Sequence, residues 1–466
     1  MAKKMTDDAI VARLTYAVGQ AVGFAESKLA RERQKVRRLY DGEKPEKISP
    51  GDSGYVSRDV YDAVEAMKAQ LLEVISATHH PLTFLPQQGE DSTAGQARAD
   101  WCNHVLYTQN PGFSLLQTVI DDGLMSRNGI AKVYWKKDVR TETYDLSDTT
   151  MEELQAHMGQ NPKDDIEDYT FAEDGVSLKR VRMTKTTDRS RIVVEPVPPE
   201  EFGISPMAKS IADAEVVIHR RRMTMSDLLH AGYEKDKLDE VQSDDKAFEA
   251  SDGDRYQRFT QTDDMVGDDE LGEGSEARRR FLVVEAYAEL DIDGTGKSRL
   301  HKVTYIGATL LDKEPVERTP FVDFAPLPRA HAFWGTNYAR LLEATQTART
   351  YLTRSIINHA LITNNPRLQV VRGAVANPRE LMENRLGGIV NVTRPDGIAP
   401  IPQQGLNPFV FQTIGLLDTD KEEMTGISKL SQGLSKEAIS SQNSQGMVDQ
   451  LINASQTRQK VIARNF

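Results

Sequence analysis

The sequence predicts an α+β protein that is mainly helical, and three observations carry that prediction. Apolar residues recur at steps of three and four along several stretches, as in Val56, Val60, Val64, Met67, Leu71 and Ile75, the signature of one buried helix face. Short runs rich in valine, isoleucine and aromatics, such as GIAKVYWKK and AEVVIHRRR, stand between turn signals and read as strands. In the last third, two long helical stretches bracket a module of roughly 40 residues, too small for a comfortable core of its own.

At 466 residues the chain has room for two or three domains. Its hydrophobic content of 39% is low for that length, and the mean hydropathy is −0.51. The expectation is that some apolar surface is buried between subunits, or that polar channel and loop surface replaces it. The net charge of −12 argues against tight, static wrapping of nucleic acid, which basic surfaces achieve by releasing counterions. One cysteine, Cys102, excludes an internal disulfide framework and a cysteine-based zinc finger. Beside Trp101, Val105 and Leu106 it reads as a small buried residue, with a reactive thiol as the alternative. No apolar run reaches the roughly 18 residues of a membrane span, and MAKKMTDDAIVARL lacks the apolar core of a secretory signal. A soluble protein of a reducing compartment is expected.

Taken in order, residues 7–40 predict helix and carry Lys28, Arg31, Arg33, Lys35, Arg37 and Arg38. That cluster is either a solvated face or a contact for a phosphate or an acidic neighbour. A Pro/Gly-rich loop, Pro45 to Gly54, precedes the helix that carries the valine stripe. Helices over 95–108 and 113–127 are separated by Asn110-Pro111-Gly112, and Asn128-Gly129 opens a strand. From 139 to 197, the strand candidates SLKRVRMTKT and RIVVEPV accompany a helical insert around MEELQAHM. Thr224 and Asp227 have capping-box spacing ahead of MSDLLHAGY. Residues 243–276 are crowded with aspartate and glutamate and predict an acidic loop. DDMVGDDELGEGSE lacks the alternating carboxylates of a calcium loop. RRRFLVVEAYAEL and SRLHKVTYIGATLL flank DIDGTGK as a hairpin.

From Asn337 to about Thr363, Leu341, Ala344, Ala348, Leu352, Ile356 and Ala360 fall on one narrow stripe. A helix of that length spans roughly 40 Å. Its alanines allow close approach, and its other faces are polar, so it reads as a stave that packs against copies of itself. Asn364-Asn365-Pro366 ends it. LQVVRG, NPRELMENR, GGIVNV and DGIAPIPQ then read strand, short helix, strand, strand. A second helix begins at Pro408, a first-turn proline after Asn407, and closes at Gly426. A polar stretch rich in serine and glutamine follows, then a further helix from about Gly446.

This order resembles the portal, or head-to-tail connector, proteins of tailed bacteriophages, of the short-tailed-phage type. The residues that carry the resemblance are NPGFSLLQTVIDDGLMSRNGIAKVYW (110–135), AFWGTNYARLLEATQTARTYLTR (332–354), NNPRLQVVRGAV (364–375), and GGIVNV followed by TGISKLSQGL (387–434). The resemblance implies a ring-forming architecture. Residues 1–336 correspond to the wing, 337–363 and 407–427 to two stem helices, 364–406 to a small α/β clip, 428–445 to a tunnel loop, and 446–466 to a further wing helix. Family members continue into a helical crown; the chain ends at Phe466, so the crown is expected to be absent or truncated.

The implied function is a homododecameric portal at one capsid vertex, through which double-stranded DNA is packaged and ejected. Its implied partners are the terminase large subunit, tail adaptor proteins, capsid and scaffolding proteins, and DNA held transiently and without sequence preference. No cofactor, metal or membrane is implied, and no enzymatic activity. The implied location is the virion, and the host cytoplasm during assembly. Lys429, Ser431, Gln432, Ser435, Lys436, Gln442 and Asn443 would face passing DNA, where a polar segment reorients cheaply and two lysines give a sparse cationic ring. A plain linker is the alternative reading of that stretch. Arg379, Glu380, Glu383, Arg385 and Arg394 would form the clip's docking surface, or else salt-bridge neighbouring subunits. Leu341, Ala348, Leu352 and Ile356 would pack the stem.

Two other classes of protein make different demands on the sequence. A static capsid or adaptor protein without a DNA channel would lack two staves with a module between them. A metal-dependent nuclease would need clustered carboxylates on flanking strands, and the acid-rich segments here sit in turn-rich sequence. Walker A, GxSxG and HExxH motifs are missing, and Pro81 interrupts helical ligand spacing after His79-His80.

Overall fold

The structure is a computed structural model that describes residues 4–24, 28–44, 48–49, 51–76, 82–84, 92–161, 164–172, 177–239, 241, 276–364, 367–382, 389–402, 404–427 and 457–466. The acidic loop, His79-His80 and the polar stretch after Gly426 fall almost wholly outside them. Helices and strands are both abundant, so the α+β class holds. The chain divides into two compact units: residues 1–34, 70–337 and 462–466 form the first, residues 35–69 and 338–461 the second.

The helices ahead of the first sheet are α1 (Asp7–Phe24), α2 (Ala30–Asp41), α3 (Asp59–Ser76), α4 (Ser92–His104) and α5 (Gly112–Ser126). The strands that follow are β1 (Gly129–Lys136), β2 (Val139–Thr149), β3 (Asp164–Phe171), β4 (Leu178–Asp188), β5 (Arg191–Val197), β6 (Phe202–Ile204) and β7 (Val216–Thr224). Next come β8 (Arg280–Leu290), β9 (Arg299–Ile306), β10 (Thr309–Pro315), β11 (Phe321–Phe324), β12 (Leu327–Arg329) and β13 (Ala332–Thr336).

The first unit is built on a five-stranded antiparallel sheet, order β10-β9-β8-β7-β6, and a three-stranded sheet, order β11-β1-β5. One face of the larger sheet buries Ile218, Ala286 and Val303 beneath Ile10, Leu14 and Val18 of α1. Its other face sets Val217 and Tyr287 against Ile130, Val197 and Phe321 of the smaller sheet. β8 is therefore buried on both sides, which is why FLVVEAYA reads as a nearly unbroken apolar run. α5 lies on the far side of β1.

At that contact the sequence is constrained to one residue type. A Cβ on Gly129 would stand 1.9 Å from the Val119 carbonyl oxygen, so the helix and the strand meet backbone to backbone. Asn128 beside it is fully buried; its amide donates to the Phe333 carbonyl (3.0 Å) and accepts from Gly335 N–H (3.0 Å). Gly129→Ala is expected to destabilise the protein by about 1–3 kcal/mol, the range for overpacking, read as a lower urea midpoint at unchanged slope.

A separate sheet, order β2-β4-β3, buries Val181 and Met183 with Leu154 of α6 (Met151–Gln160). β2 and β3 were not legible as strands. Their residues are mostly polar and exposed, so the apolar alternation is weak. The capping box at Thr224 is present and opens α7 (Met225–His230); α8 (Lys235–Asp239) follows. Cys102 is half-buried rather than buried, and its neighbour Trp101 is exposed.

The second unit holds the N-terminal part of α3, the long helix α9 (Tyr338–Asn364) and α11 (Phe409–Thr425), with a small module between the last two. In that module β14 (Leu368–Val370) pairs antiparallel with β15 (Ile398–Pro400), and Val375 bridges Val392. α10 (Pro378–Met382) lies between them in sequence. Asn407 accepts the Phe409 N–H at 3.1 Å, capping α11 as its proline suggested. Gly426 ends α11 in the left-handed region (φ 72°). Arg458 of α12 (Thr457–Arg464) donates to the Met424 carbonyl at 2.6 Å.

Candidate functional site

The side of α9 that the chain itself buries is largely apolar in its first turns, at Tyr338, Ala339 and Leu342, and polar beyond them. Leu342, Thr345, Gln346 and Thr350 are buried, and Arg349 lies among them. Backbone groups of the 35–69 segment use these side chains as partners. Gln346 accepts from Val60 N–H (2.9 Å) and donates to the Leu39 carbonyl (2.8 Å), and Thr350 accepts from Ser57 N–H (3.1 Å). Each bond satisfies a group that burial would otherwise strand.

The centre of the arrangement is Asp59, at the N-terminus of α3 and only 1% exposed. One of its oxygens lies 3.0 Å from Arg349 Nη1 of α9 and 3.0 Å from Lys421 Nζ of α11. The other accepts from the Ser57 hydroxyl at 2.7 Å. Arg349 also pairs with Asp418, and Lys421 with Asp62 (3.2 Å). Thr345 donates to Asp420 at 3.2 Å. Three helices are thus joined through one carboxylate. A network of this kind fixes which residues stand opposite one another, because a slip by one residue would leave a buried charge unpaired. The pairs 349–418, 345–420 and 359–404 run in opposite senses along α9 and the chain of α11, so the two are antiparallel.

The residues expected to pack a stem stand elsewhere. Leu341, Ala348, Leu352 and Ile356 are half-buried, and Ala344 and Ala360 are exposed. The apolar stripe of α9 is therefore distinct from its buried side. Sequence reading found that stripe and missed the polar brace, whose only signal is a repeat of Thr345-Gln346 and Arg349-Thr350 one turn apart. In the module, Arg379 and Arg394 are exposed. Glu380 is half-buried and accepts from Asn391 N–H at 2.9 Å. That bond holds its carboxyl below the usual range and makes it a brace between α10 and the strand side of the module. Glu383 and Arg385 lie outside the described residues, as do Lys429, Ser431, Gln432, Ser435, Lys436, Gln442 and Asn443.

Among the described residues no group of three or more His, Cys, Asp or Glu side chains could hold a metal ion, and no helix is long and apolar enough to cross a membrane. Tyr338, buried at the start of α9, has its phenol pushed up to about 12 by burial, against an opposing effect of Arg458. The ion network holds α9 and α11 in one antiparallel register, with the small module between them in sequence.

Two long antiparallel helices with a small strand-bearing module between them, on a chain otherwise built of shorter helices and antiparallel sheets, agree with the order of elements that the sequence shares with phage portal proteins. The family model described as Phage SU10 portal protein matches residues 10–466, and the chain belongs to that family. Comparison with curated proteins returns no match. The family read from the sequence is the one matched, and it is a structural rather than an enzymatic one.

Proposed function

We propose that the protein assembles as a ring, expected to be dodecameric, at one vertex of a phage capsid, and that double-stranded DNA is packaged and ejected through its axis. The match of a portal family model over residues 10–466 carries this reading. In it, α9 and α11 are the stem, residues 364–406 the clip, residues 1–336 the wing, and 428–445 the tunnel loop. The clip, through Arg379, Glu380, Glu383, Arg385 and Arg394, docks the terminase large subunit during packaging and tail adaptors afterwards. Capsid and scaffolding proteins are the remaining partners, and the virion the final location.

Physical chemistry favours a channel that does not grip. Each protomer contributes −12, so the field of a ring repels phosphates and keeps the duplex centred. Lys429 and Lys436, spaced among serine and glutamine, give only transient contacts. Negative-stain microscopy of the purified protein is expected to show rings with an axial hole; a compact monomer under the same conditions would exclude the reading. Deleting 428–445 is expected to leave ring assembly intact and to reduce DNA packaging or retention at least tenfold. Loss of rings in that deletion would make the segment an assembly element instead.

A further inference from the structure

Strands β1 and β2 follow one another along one side of a single ladder, and β4 and β5 along the other. Ile130 faces Val197, Lys136 faces Arg191, Val139 faces Asp188 and Thr149 faces Leu178, so the register does not shift from one end to the other. The ribbon therefore leaves the three-stranded sheet at one end and enters the β2-β4-β3 sheet at the other. Both ends are packed. Ile130, Lys132 and Val197 are buried at the first. Leu178, Val181 and Met183 are buried with Leu154 of α6 at the second. The two cores share no residue.

The stretch between them is different. Along the five rungs from Lys137–Ser190 to Thr141–Thr186, none of the ten residues is buried, and Val139 is 44% exposed. Among the described residues no third strand lies along either outer edge there. β11 pairs with β1 only as far as Lys132, and β3 with β4 only as far as Lys185. A two-stranded ribbon with no covered face is marginal by itself and twists more than a wider sheet. These rungs span about 17 Å. One of them is incomplete. Arg189 N–H donates to the Asp138 carbonyl at 2.8 Å, but the Asp138 N–H, which a pair of this kind returns to the facing backbone, donates to Ser190 Oγ at 3.1 Å. The Ser190 N–H donates in turn to the Asp188 carboxylate at 2.8 Å. Side chains thus satisfy the backbone at this waist, and a bend there breaks one bond between the strand backbones rather than two. Charge does not draw the far end back. Residues 139–188 hold six basic against twelve acidic residues, −6 of the chain's −12, so this arm and the remainder repel.

We propose that β2, α6, β3 and β4 move as one body on a hinge at Lys137–Asp138 and Arg189–Ser190, so that the tip changes direction while the sheets behind it keep their packing. The tip carries the exposed side chains Ile166, Tyr169 and Phe171 of β3, which are thereby aimed independently of those sheets. The hinge does not depend on the ring reading above. Amide hydrogen exchange on the full chain, resolved to single residues, tests it. Arg140, Thr187 and Arg189 are expected to exchange at least about tenfold faster than Lys132 and Glu195 on one side and Tyr144 and Met183 on the other. Equal rates at the waist and at Lys132 would overturn the hinge. Equal rates at the waist and at Met183 would mean that the whole arm comes apart, and would overturn the single moving body. A lock gives the second measurement. By the register Lys137 faces Ser190 in a pair without mutual hydrogen bonds, the closer of the two kinds. Lys137→Cys with Ser190→Cys in a Cys102→Ser background therefore suits a disulfide. Oxidation is expected to slow the waist amides to within about threefold of Lys132 and Met183, and reduction to release them. Waist exchange that is indifferent to the disulfide would overturn the hinge at this rung.

Discussion

Asp59→Ala is expected to lower the stability of the second unit by about 3–5 kcal/mol, the cost of removing one member of a buried ion network and leaving its cations uncompensated. The size follows from position. Asp59 is 1% exposed and has Arg349 and Lys421 each at 3.0 Å, with Ser57 on its other oxygen. Asp62, which also meets Lys421, is exposed, and Asp62→Ala is expected to cost no more than about 1 kcal/mol, as surface pairs do. Urea unfolding of both variants at one fixed protomer concentration makes the comparison, since assembly would otherwise shift the midpoint. Equal midpoints for the two variants would show that Asp59 is not the centre of the brace. The same loss should weaken any assembly that relies on α9 and α11 being held level.

How far the sequence could be read follows from what each element buries. The α3 stripe was legible because Val60, Val64, Met67 and Leu71 are buried together, so period and burial coincide. The ends of α11 were legible because Asn407, Pro408 and Gly426 act locally, through a cap, a fixed φ and a left-handed residue. β2 and β3 were not, since one exposed face and edge positions remove the alternation that marks a strand. The polar brace was not legible either. A buried Thr, Gln or Arg looks like a solvated one until its distant partner is known, and Val60 and Gln346 are 286 positions apart. The same blindness hid Lys132, which stands in GIAKVYWKK as one lysine among several. The clip and tunnel-loop assignments came from family resemblance and not from local physics, and most of their named residues fall outside the described part of the chain.

Lys132 carries the second large effect. It lies on β1 with its side chain 2% exposed, and its ammonium sits 2.7 Å from Glu285 on β8, joining the two sheets of the first unit through their shared core. The ammonium also lies 3.2 Å from His219 Nδ1, which leaves Nε2 to donate toward Glu201 at 3.4 Å. Tyr287 donates to the other oxygen of Glu285. Lys132→Ala removes the cation in direct contact with that buried carboxylate, leaving it the Tyr287 hydroxyl and the more distant charge of Lys302, and is expected to cost about 3–5 kcal/mol. Glu285→Ala should cost a similar amount. The double variant should fall short of the sum by at least about 1.5 kcal/mol, because the second removal relieves the charge stranded by the first. Strict additivity would mean that the two groups do not interact.

The pH dependence has a fixed sign. Burial raises the Glu285 carboxyl, but the charge and hydrogen bond of Lys132, with the Tyr287 hydroxyl, outweigh it and hold the pKa at about 2, against 4.5 ordinarily. A carboxyl depressed in the folded state stabilises fully above its unfolded value, and that stabilisation is lost as pH falls from about 4.5 toward 2, on the order of 3 kcal/mol. Burial pulls the Lys132 ammonium the other way, below its usual value, so it opposes folding throughout that window and the pair contributes less than its acid alone. Urea midpoints between pH 6 and pH 3 should therefore fall more steeply for the parent than for Glu285→Gln, which has no carboxyl to titrate at that position. Parallel curves would remove the ion pair from the account of how the two sheets are held.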